Sequence, residues 1–213
     1  MVDANRYQSF FLWAGVRPQT VLKNANEIYL LAGEVSARGR THIVSQRSDV
    51  PHVRAGAVWI VYRVETLDWD DAIYAQILIR VERWRQAGNK IAGLQIDFDA
   101  GTRHLNTYAK FLKGLRTRLP SGTKLSITGL LDWSANGDPQ ALSKLEGVVD
   151  EVVLQIYQGR RVIPGYADYL KRLGSLNVPF RIGLLQGGEW HAPPRLEENP
   201  AFRGYVVFLQ NTR

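Results

Sequence analysis

Two aspartates, Asp97 and Asp99, are the residues of this sequence best placed to do chemistry. They lie in residues 92–99, where apolar and polar side chains alternate strictly. This alternation predicts a β-strand with both carboxyl groups on one face, their Cα atoms roughly 6–7 Å apart. Two such acids can divide acid–base work, because like charges repel and one acid then keeps its proton. The sequence alone is equally compatible with a structural role, in which the acidic pair caps the next helix or turns the chain.

The segments around these acids alternate between strand and helix patterns, and eight of them predict strands. Most of the intervening segments space their apolar residues as a helix does, but residues 35–56 do not and predict a hairpin or long loop. Eight strands with helices between them predict a (β/α)8 TIM barrel. The alternative is a doubly wound open sheet, but residues 13–18 lack the glycine-rich phosphate loop typical of its first turn. The predicted strands are residues 9–15, 27–31, 57–65, 92–99, 124–133, 151–159, 180–186 and 204–210.

Length and composition limit the remaining possibilities. The chain has 213 residues, 45% of them hydrophobic, which suits one domain over residues 1–213. The net charge is +7, but the basic residues are scattered among acids on predicted helix faces, which argues against nucleic-acid binding. The absence of cysteine excludes disulfides and thiolate metal sites, and no apolar run is long enough to span a membrane. We expect a monomer.

The N-terminus bears on the cellular compartment. Its first five residues lack the basic and apolar regions of a signal peptide, and the first predicted strand follows soon after. We therefore expect an exported protein, periplasmic or extracellular, if a leader has been removed, and a cytoplasmic protein otherwise.

A barrel brings the carboxyl ends of all eight strands to one mouth, where TIM-barrel enzymes hold their active sites. The residues selected by this rule are rich in carboxylates, amides and aromatic rings, which suit a carbohydrate partner. The four histidines are isolated, and we expect neither a metal site nor a cofactor. The candidates for catalysis are Asp97, Asp99 and Tyr157, and those for substrate binding are Trp13, Glu34, Arg63, Glu65, Gln95, Asp132, Trp133, Gln155, Gln158, Gln186 and Gln210.

Two of the predicted strands resemble motifs of a known family. Residues 93–99, Gly-Leu-Gln-Ile-Asp-Phe-Asp, are similar to the D-G-x-D-x-D-x-E pattern of glycoside hydrolase family 18, the chitinase family. Residues 155–158, Gln-Ile-Tyr-Gln, resemble its M-x-Y-D motif. The resemblance implies that Asp99 is the general acid, that Asp97 orients the substrate's acetamido group, and that Tyr157 binds substrate.

The sequence also departs from this family at identifiable positions. Asp99 is one methylene shorter than the glutamate of the pattern, Gln95 and Gln158 replace acids, and Phe208 stands where chitinases usually have tryptophan. Over most of its length the chain is more similar to the bacterial proteins grouped as domain of unknown function 3142. That resemblance is carried by Arg63-Val-Glu65, Gln-Ile-Asp-Phe-Asp and the segment Leu-Ser-Ile-Thr-Gly-Leu-Leu-Asp-Trp. It implies a glycosidase-type barrel and no particular activity.

These observations predict a glycoside hydrolase acting on an oligo- or polysaccharide, with amino sugars among the candidates. Asp99 would protonate the glycosidic oxygen, a charged Asp97 would stabilise positive charge at the anomeric carbon, and Tyr157 would bind the 2-substituent or the nucleophile. The alternative is a non-catalytic, lectin-like barrel derived from a glycosidase, which the substituted motif positions favour. A third hypothesis is a metal site at the two aspartates, as in nucleotide-sugar transferases, but no nucleotide-binding element accompanies it. Candidates for a second acid are Glu34, Glu65, Asp132 and Glu189.

Overall fold

The computed structural model describes residues 1–47, 49–133, 139–171 and 177–211. Its strands are β1 (Ser9–Leu12), β2 (Glu27–Ser36), β3 (His42–Ser45), β4 (Ala57–Val64), β5 (Ile91–Asp97), β6 (Lys124–Leu130), β7 (Glu151–Gln155), β8 (Tyr157–Gln158), β9 (Arg161–Val162), β10 (Phe180–Leu185) and β11 (Phe202–Phe208). Eight of them pair in parallel, and β11 pairs with β1 to close the barrel; they are β1, β2, β4, β5, β6, β7, β10 and β11. This confirms the predicted (β/α)8 architecture, with one barrel strand at each of the eight predicted places.

Two hairpins add to the barrel. β2 continues past its predicted end, and β3 pairs with it in antiparallel fashion, which confirms the hairpin predicted between the second and third barrel strands. The second hairpin, β8 with β9, was not predicted. The sequence suggested one continuous strand over residues 151–159, whereas β7 ends at Gln155 and the chain starts a new, separately paired strand at Tyr157.

Helices cover the outside of the barrel at four described places: α1 (Asp71–Gln86), α2 (Leu105–Arg116), α3 (Pro139–Ser143) and α4 (Tyr166–Leu170). The side chain of Asp70 accepts a hydrogen bond of 2.9 Å from the backbone N–H of Ile73 and so caps α1. Such a cap contributes about 1 kcal/mol to helix stability. Short 3-10 turns occupy Ala4–Arg6, Thr20–Asn24 and Thr102–His104. Within the described ranges, no helix is both long and apolar enough to cross a membrane.

The apolar core has two parts. The larger part lies between the barrel and its helices, where one buried face of α1 and one of α2 pack against outward-facing strand residues. The smaller part fills the barrel interior. It comprises Phe11, Tyr29, Leu31, Trp59, Val61, Val153, Tyr157, Leu185, Val206 and Phe208.

A polar network closes the end of the barrel opposite the mouth. The guanidinium of Arg181 pairs with Glu27 and with Glu151, each at 2.7 Å, and the Tyr29 hydroxyl donates to Glu151 over 2.6 Å. Ser126 also donates to Glu151, at 3.1 Å. These charged side chains are largely buried, and their mutual pairing offsets the cost of removing them from water. The network therefore forms a rigid floor beneath the carboxyl-end mouth.

Candidate active site

Asp97 is the last residue of β5, and its side chain points into the barrel just below the mouth. It is 6% exposed, and its Oδ1 accepts a hydrogen bond of 2.8 Å from the Thr128 hydroxyl on β6. Burial raises the pKa of Asp97 to about 6. The Thr128 hydrogen bond and the nearby positive charge of Arg63 lower this pKa, while the negative charge of Asp99 raises it further. Asp97 can therefore change its protonation state near neutral pH.

Asp99 lies two residues beyond the end of β5 and is exposed to solvent. The loop that carries Asp99 is bonded to the segment that follows β6, because the indole N–H of Trp133 donates to the backbone oxygen of Ala100 over 2.7 Å. The sequence hypothesis placed the retained proton on Asp99 and a permanent charge on Asp97. In the structure Asp97 is the buried acid of the pair, and burial disfavours its charged form.

Three charged residues stand side by side at the mouth. In the registers of neighbouring strands, Glu34 on β2 is opposite Arg63 on β4, and Arg63 is opposite Asp97 on β5. Arg63 is exposed and Glu34 is partly buried. The guanidinium of Arg63 therefore lies beside the buried Asp97, where a ligand that enters the mouth could contact it.

Aromatic rings lie on the side of the barrel that faces these acids. β11 is four strands away from β5 in either direction around the barrel, and its Phe208 ring stacks on Phe11 with centroids 4.3 Å apart. The ring of the partly exposed Trp13 packs against Phe11, and the ring of Tyr157 packs against Phe208, with centroids 4.9 Å apart in each pair. A ligand in the mouth would lie between an acidic wall and an aromatic wall.

The hydroxyl of Tyr157 is the most unusual polar atom of the mouth. Tyr157 is 8% exposed, and its buried oxygen has no hydrogen-bond partner among the described residues. Burial raises the pKa of Tyr157 well above its ordinary value, and the charges of Asp97 and Asp99 raise it further. A buried hydroxyl without a partner costs free energy, so this group is poised to bond to a molecule that enters the site.

Several other predicted residues lie away from the space between these walls. Gln95 is fully buried in the floor, where its amide donates to Ser126 over 2.9 Å. The carboxylate of Glu65 accepts from the Ser36 hydroxyl at 2.7 Å, and this bond lowers the pKa of Glu65. Trp133 is 2% exposed and offers no face to a sugar.

The remaining predicted residues are spread around the rim. Asp132 is partly buried with one oxygen that has no described partner, and burial raises its pKa. Gln155 ends β7 and is partly buried, while Gln158 is exposed on the β8–β9 hairpin. Glu189, one of the candidates for a second acid, is exposed and lies 3.6 Å from His191. Of the four candidates for a second acid, Asp132 and Glu34 are the two that are partly buried at strand ends.

Gln186 and Gln210 belong to a separate feature at the edge of the mouth. The side-chain amides of Gln186 and Gln19 bond to each other in both directions, at 2.8 and 3.0 Å, and Gln19 also donates to the Gln210 backbone oxygen. Together they line a cavity of about 670 Å³ between the N-terminal turn and the loop after β1. Their hydrogen bonds fasten that loop to the ends of β10 and β11.

Thr128 was not among the predicted site residues, although the sequence carries a signal for it. Ser126 and Thr128 alternate with apolar residues along the fifth barrel strand, in the same period-two pattern that selected the acids. Phe11 was not predicted either, although it lies two residues before Trp13 and so faces the same side of the strand. Among the described residues, no group of three or more histidine, aspartate or glutamate side chains is arranged to hold a metal ion.

Several solved structures share this barrel. The Bacillus cereus spore cortex-lytic enzyme SleL matches with a TM-score of 0.58 and 19% identity, over 83% of this chain and 49% of its own. A Rhizomucor miehei chitinase matches with a TM-score of 0.58 and 14% identity, over 83% and 67% of the two chains. The tamarind chitinase-like lectin matches with a TM-score of 0.54 and 11% identity, over 86% and 84%. This chain thus spans about half the length of SleL, and identities this low show the fold alone.

No curated protein matches this chain in sequence. Residues 57–175, more than half of the chain, match the family described as domain of unknown function (DUF3142). The matched region runs from β4 to beyond α4 and includes Asp97, Asp99 and Tyr157. The barrel, its glycosidase-like structural relatives and this match agree with the resemblance found in the sequence, and the chain belongs to the DUF3142 family.

Proposed function

We propose that this protein is a glycoside hydrolase that cleaves an oligo- or polysaccharide in the mouth of its barrel. The observation that carries the proposal is the pairing of an exposed acid, Asp99, with a buried acid, Asp97, near the Tyr157 hydroxyl, which has no hydrogen-bond partner among the described residues. Glycoside cleavage needs a proton donor within reach of the leaving oxygen and a negative charge near the anomeric carbon. One exposed and one buried carboxyl group can meet these two needs separately.

Asp99 acts as the general acid in this proposal. Its exposed carboxyl group donates a proton to the glycosidic oxygen as the bond from that oxygen to the anomeric carbon breaks. The sugar that carries the anomeric carbon takes on oxocarbenium-ion character as this bond breaks. Water then adds to the anomeric carbon, and the Asp99 carboxylate takes up the water's proton. The acid is regenerated and one glycosidic bond has been exchanged for two hydroxyl groups.

Asp97 and Tyr157 support this step in different ways. In its ionised form, Asp97 stabilises the positive charge that develops at the anomeric carbon, in a site where burial strengthens electrostatic interactions. The Tyr157 hydroxyl donates to the 2-substituent of the sugar, which gives that buried group a partner. Trp13 is partly exposed above the Phe11 and Phe208 rings and offers a platform for a sugar face.

The test is product release from glycans that the protein is first shown to bind. A suitable panel contains chitin oligosaccharides, their de-N-acetylated forms, β-mannan and peptidoglycan strands. Asp99→Asn should lower kcat by about 10²–10⁴-fold and leave affinity nearly unchanged, because the amide retains the shape but not the proton. Asp68→Asn, at another exposed acid near the end of a barrel strand, is the matched control and should keep wild-type turnover. Undiminished turnover by Asp99→Asn would refute the assignment of the acid.

A second candidate function is carbohydrate binding without cleavage. It is favoured by Asp99, which is one methylene shorter than the glutamate of the family 18 pattern and so holds its carboxyl group further back from a bound glycan. The fold is shared with a chitinase-like lectin. A lectin would bind a glycan of the panel and release no product from it, and the wild type and the Asp99→Asn variant would be equally inactive.

A further inference from the structure

We propose that Thr128 is the positioning residue of the acid pair, whose hydroxyl determines which oxygen of Asp97 faces the ligand. The inference rests on the proposed function and adds to it a residue that touches neither substrate nor solvent. Thr128 is 3% exposed, and its hydroxyl donates to Oδ1 of Asp97 over 2.8 Å. With Oδ1 held in this way, Oδ2 is the oxygen left to face the mouth.

The position of Thr128 in the sheet leaves its hydroxyl one charged partner. Thr128 lies on β6, next to β5. Ile96 of β5 and Ile127 of β6 are register partners, so Asp97 and Thr128, the next residue on each strand, also lie side by side. On the other side, β7 presents Val153 at the register position of Thr128, and that side chain has no acceptor. The hydroxyl is therefore directed towards β5, and its hydrogen bond crosses between the two strands.

Other groups influence Asp97 through their charge or their proximity. From β4 comes the guanidinium of Arg63, and from the exit of β5 itself comes the carboxylate of Asp99. The phenols of Tyr157 and of Tyr108, on α2, are also close enough for the charge of Asp97 to raise their pKa values. Among the described residues, Thr128 is the group that forms a hydrogen bond with this carboxyl.

A hydrogen bond of this kind constrains the carboxyl in two ways. It opposes rotation about the last side-chain torsion, which is broad for aspartate. It also favours the ionised form, because a hydroxyl donor stabilises a carboxylate more than a neutral acid. Without it, Asp97 would hold its proton to higher pH and would lose the orientation in which its charge faces the anomeric carbon.

The first test is a carboxyl-carbon NMR titration of Asp97 in the ligand-free protein. Thr128→Val keeps the β-branched shape and removes the donor, so the pKa of Asp97 should rise by about one unit. Thr128→Ser keeps the donor and should leave the titration close to that of the wild type. Thermal unfolding of both variants confirms that the barrel is intact, and Thr128→Ala replaces the valine variant if that one fails to fold. Coincident titrations for serine and valine would overturn the proposal.

The second test uses turnover of a glycan that the wild type cleaves. The Thr128→Val variant should lose kcat at neutral pH with little change in KM, and the acidic limb of its pH profile should move upward by the same unit. Combined with Asp97→Asn, the valine substitution should move the acidic limb of the pH profile no further, because the titrating carboxyl is gone. An unchanged profile, or an equal shift when Asp97→Asn is already present, would show a merely structural role.

The two proposals can fail separately. If no glycan is cleaved by the wild type, the hydrolase proposal falls, whereas the NMR titration still decides whether Thr128 controls Asp97. If a glycan is cleaved and the valine variant behaves as wild type in both tests, the hydrolase proposal stands and the role assigned to Thr128 is refuted.

Discussion

Replacing Asp97 with asparagine should make this protein more stable at neutral pH. Burial raises the pKa of Asp97 from 3.8 to about 6, so ionising this carboxyl costs more free energy in the folded protein than in the unfolded chain. One pKa unit corresponds to about 1.4 kcal/mol, and the shift of roughly two units corresponds to about 3 kcal/mol. Asparagine has nearly the same shape, can still accept from Thr128, and carries no charge that must be removed from water.

The sign of the effect depends on pH in a defined way. Well below about pH 4 the carboxyl is protonated in both the folded and unfolded states, and its burial has no ionisation cost. As the pH rises through about 4 to 6, the unfolded chain releases the proton while the folded protein retains it, so the folded state loses stability relative to the unfolded one. The cost levels off above about pH 6, once both states have lost the proton. The advantage of Asp97→Asn should therefore be largest at about pH 7 and small near pH 4.

The assay is urea unfolding of wild type and variant at about pH 7 and about pH 4. We expect a gain of about 3 kcal/mol at the higher pH, equivalent to roughly 6–12 °C in Tm for a domain of this size. Asp99→Asn, at the exposed neighbour, should change stability by less than about 0.5 kcal/mol at either pH. A variant that is no more stable than wild type at neutral pH, or a gain that persists unchanged in acid, would refute the reasoning.

Three further predictions concern the floor, the wall and the mouth of the barrel. Arg181→Met should cost about 3–5 kcal/mol in urea unfolding, because it leaves the buried Glu151 and the partly buried Glu27 without their ion-pair partner. Arg195→Met removes only an exposed ion pair and should cost less than about 1 kcal/mol. Gly93→Ala should cost about 3 kcal/mol or prevent folding, since its Cβ would overlap the backbone of β6, while Gly101→Ala has free space and should be tolerated. Tyr157→Phe should leave thermal stability equal or higher, because it removes an unpartnered buried hydroxyl, yet lower turnover of any glycan cleaved. A clear loss of stability in Tyr157→Phe, or equal costs within either control pair, would contradict these assignments.

The sequence by itself determined the architecture of this protein. Alternation along residues 92–99 and seven similar segments follows from the geometry of a strand, in which successive side chains face opposite sides. The count of eight strands predicted a closed barrel, and the missing helical period in residues 35–56 predicted a hairpin or long loop, which in the structure is the β2–β3 hairpin. The same alternation placed Asp97 opposite the apolar face of its strand, because the face on which a strand residue lies depends only on its position in the local chain.

Which acid is buried, and what holds it, was decided by the tertiary structure. Asp97 and Asp99 are the same residue type two positions apart, and only the ends of the neighbouring strands cover one and leave the other exposed. The partner of Asp97 is Thr128, 31 residues away in the chain. Such a pairing depends on strand register, which a single sequence does not contain.

The same distinction separates the ligand-facing residues from those that only end a strand. Glu65 and Trp133 satisfied the rule that strand ends line the mouth, and Gln95 occupies an acid position of the family 18 motif. Each of the three is nevertheless bound within the protein by a partner from another element. Tyr157 differs because no described group reaches its hydroxyl. Strand patterns arise from local geometry and were visible in the sequence, whereas the pairing of polar atoms arises from contacts between distant segments and required the folded barrel.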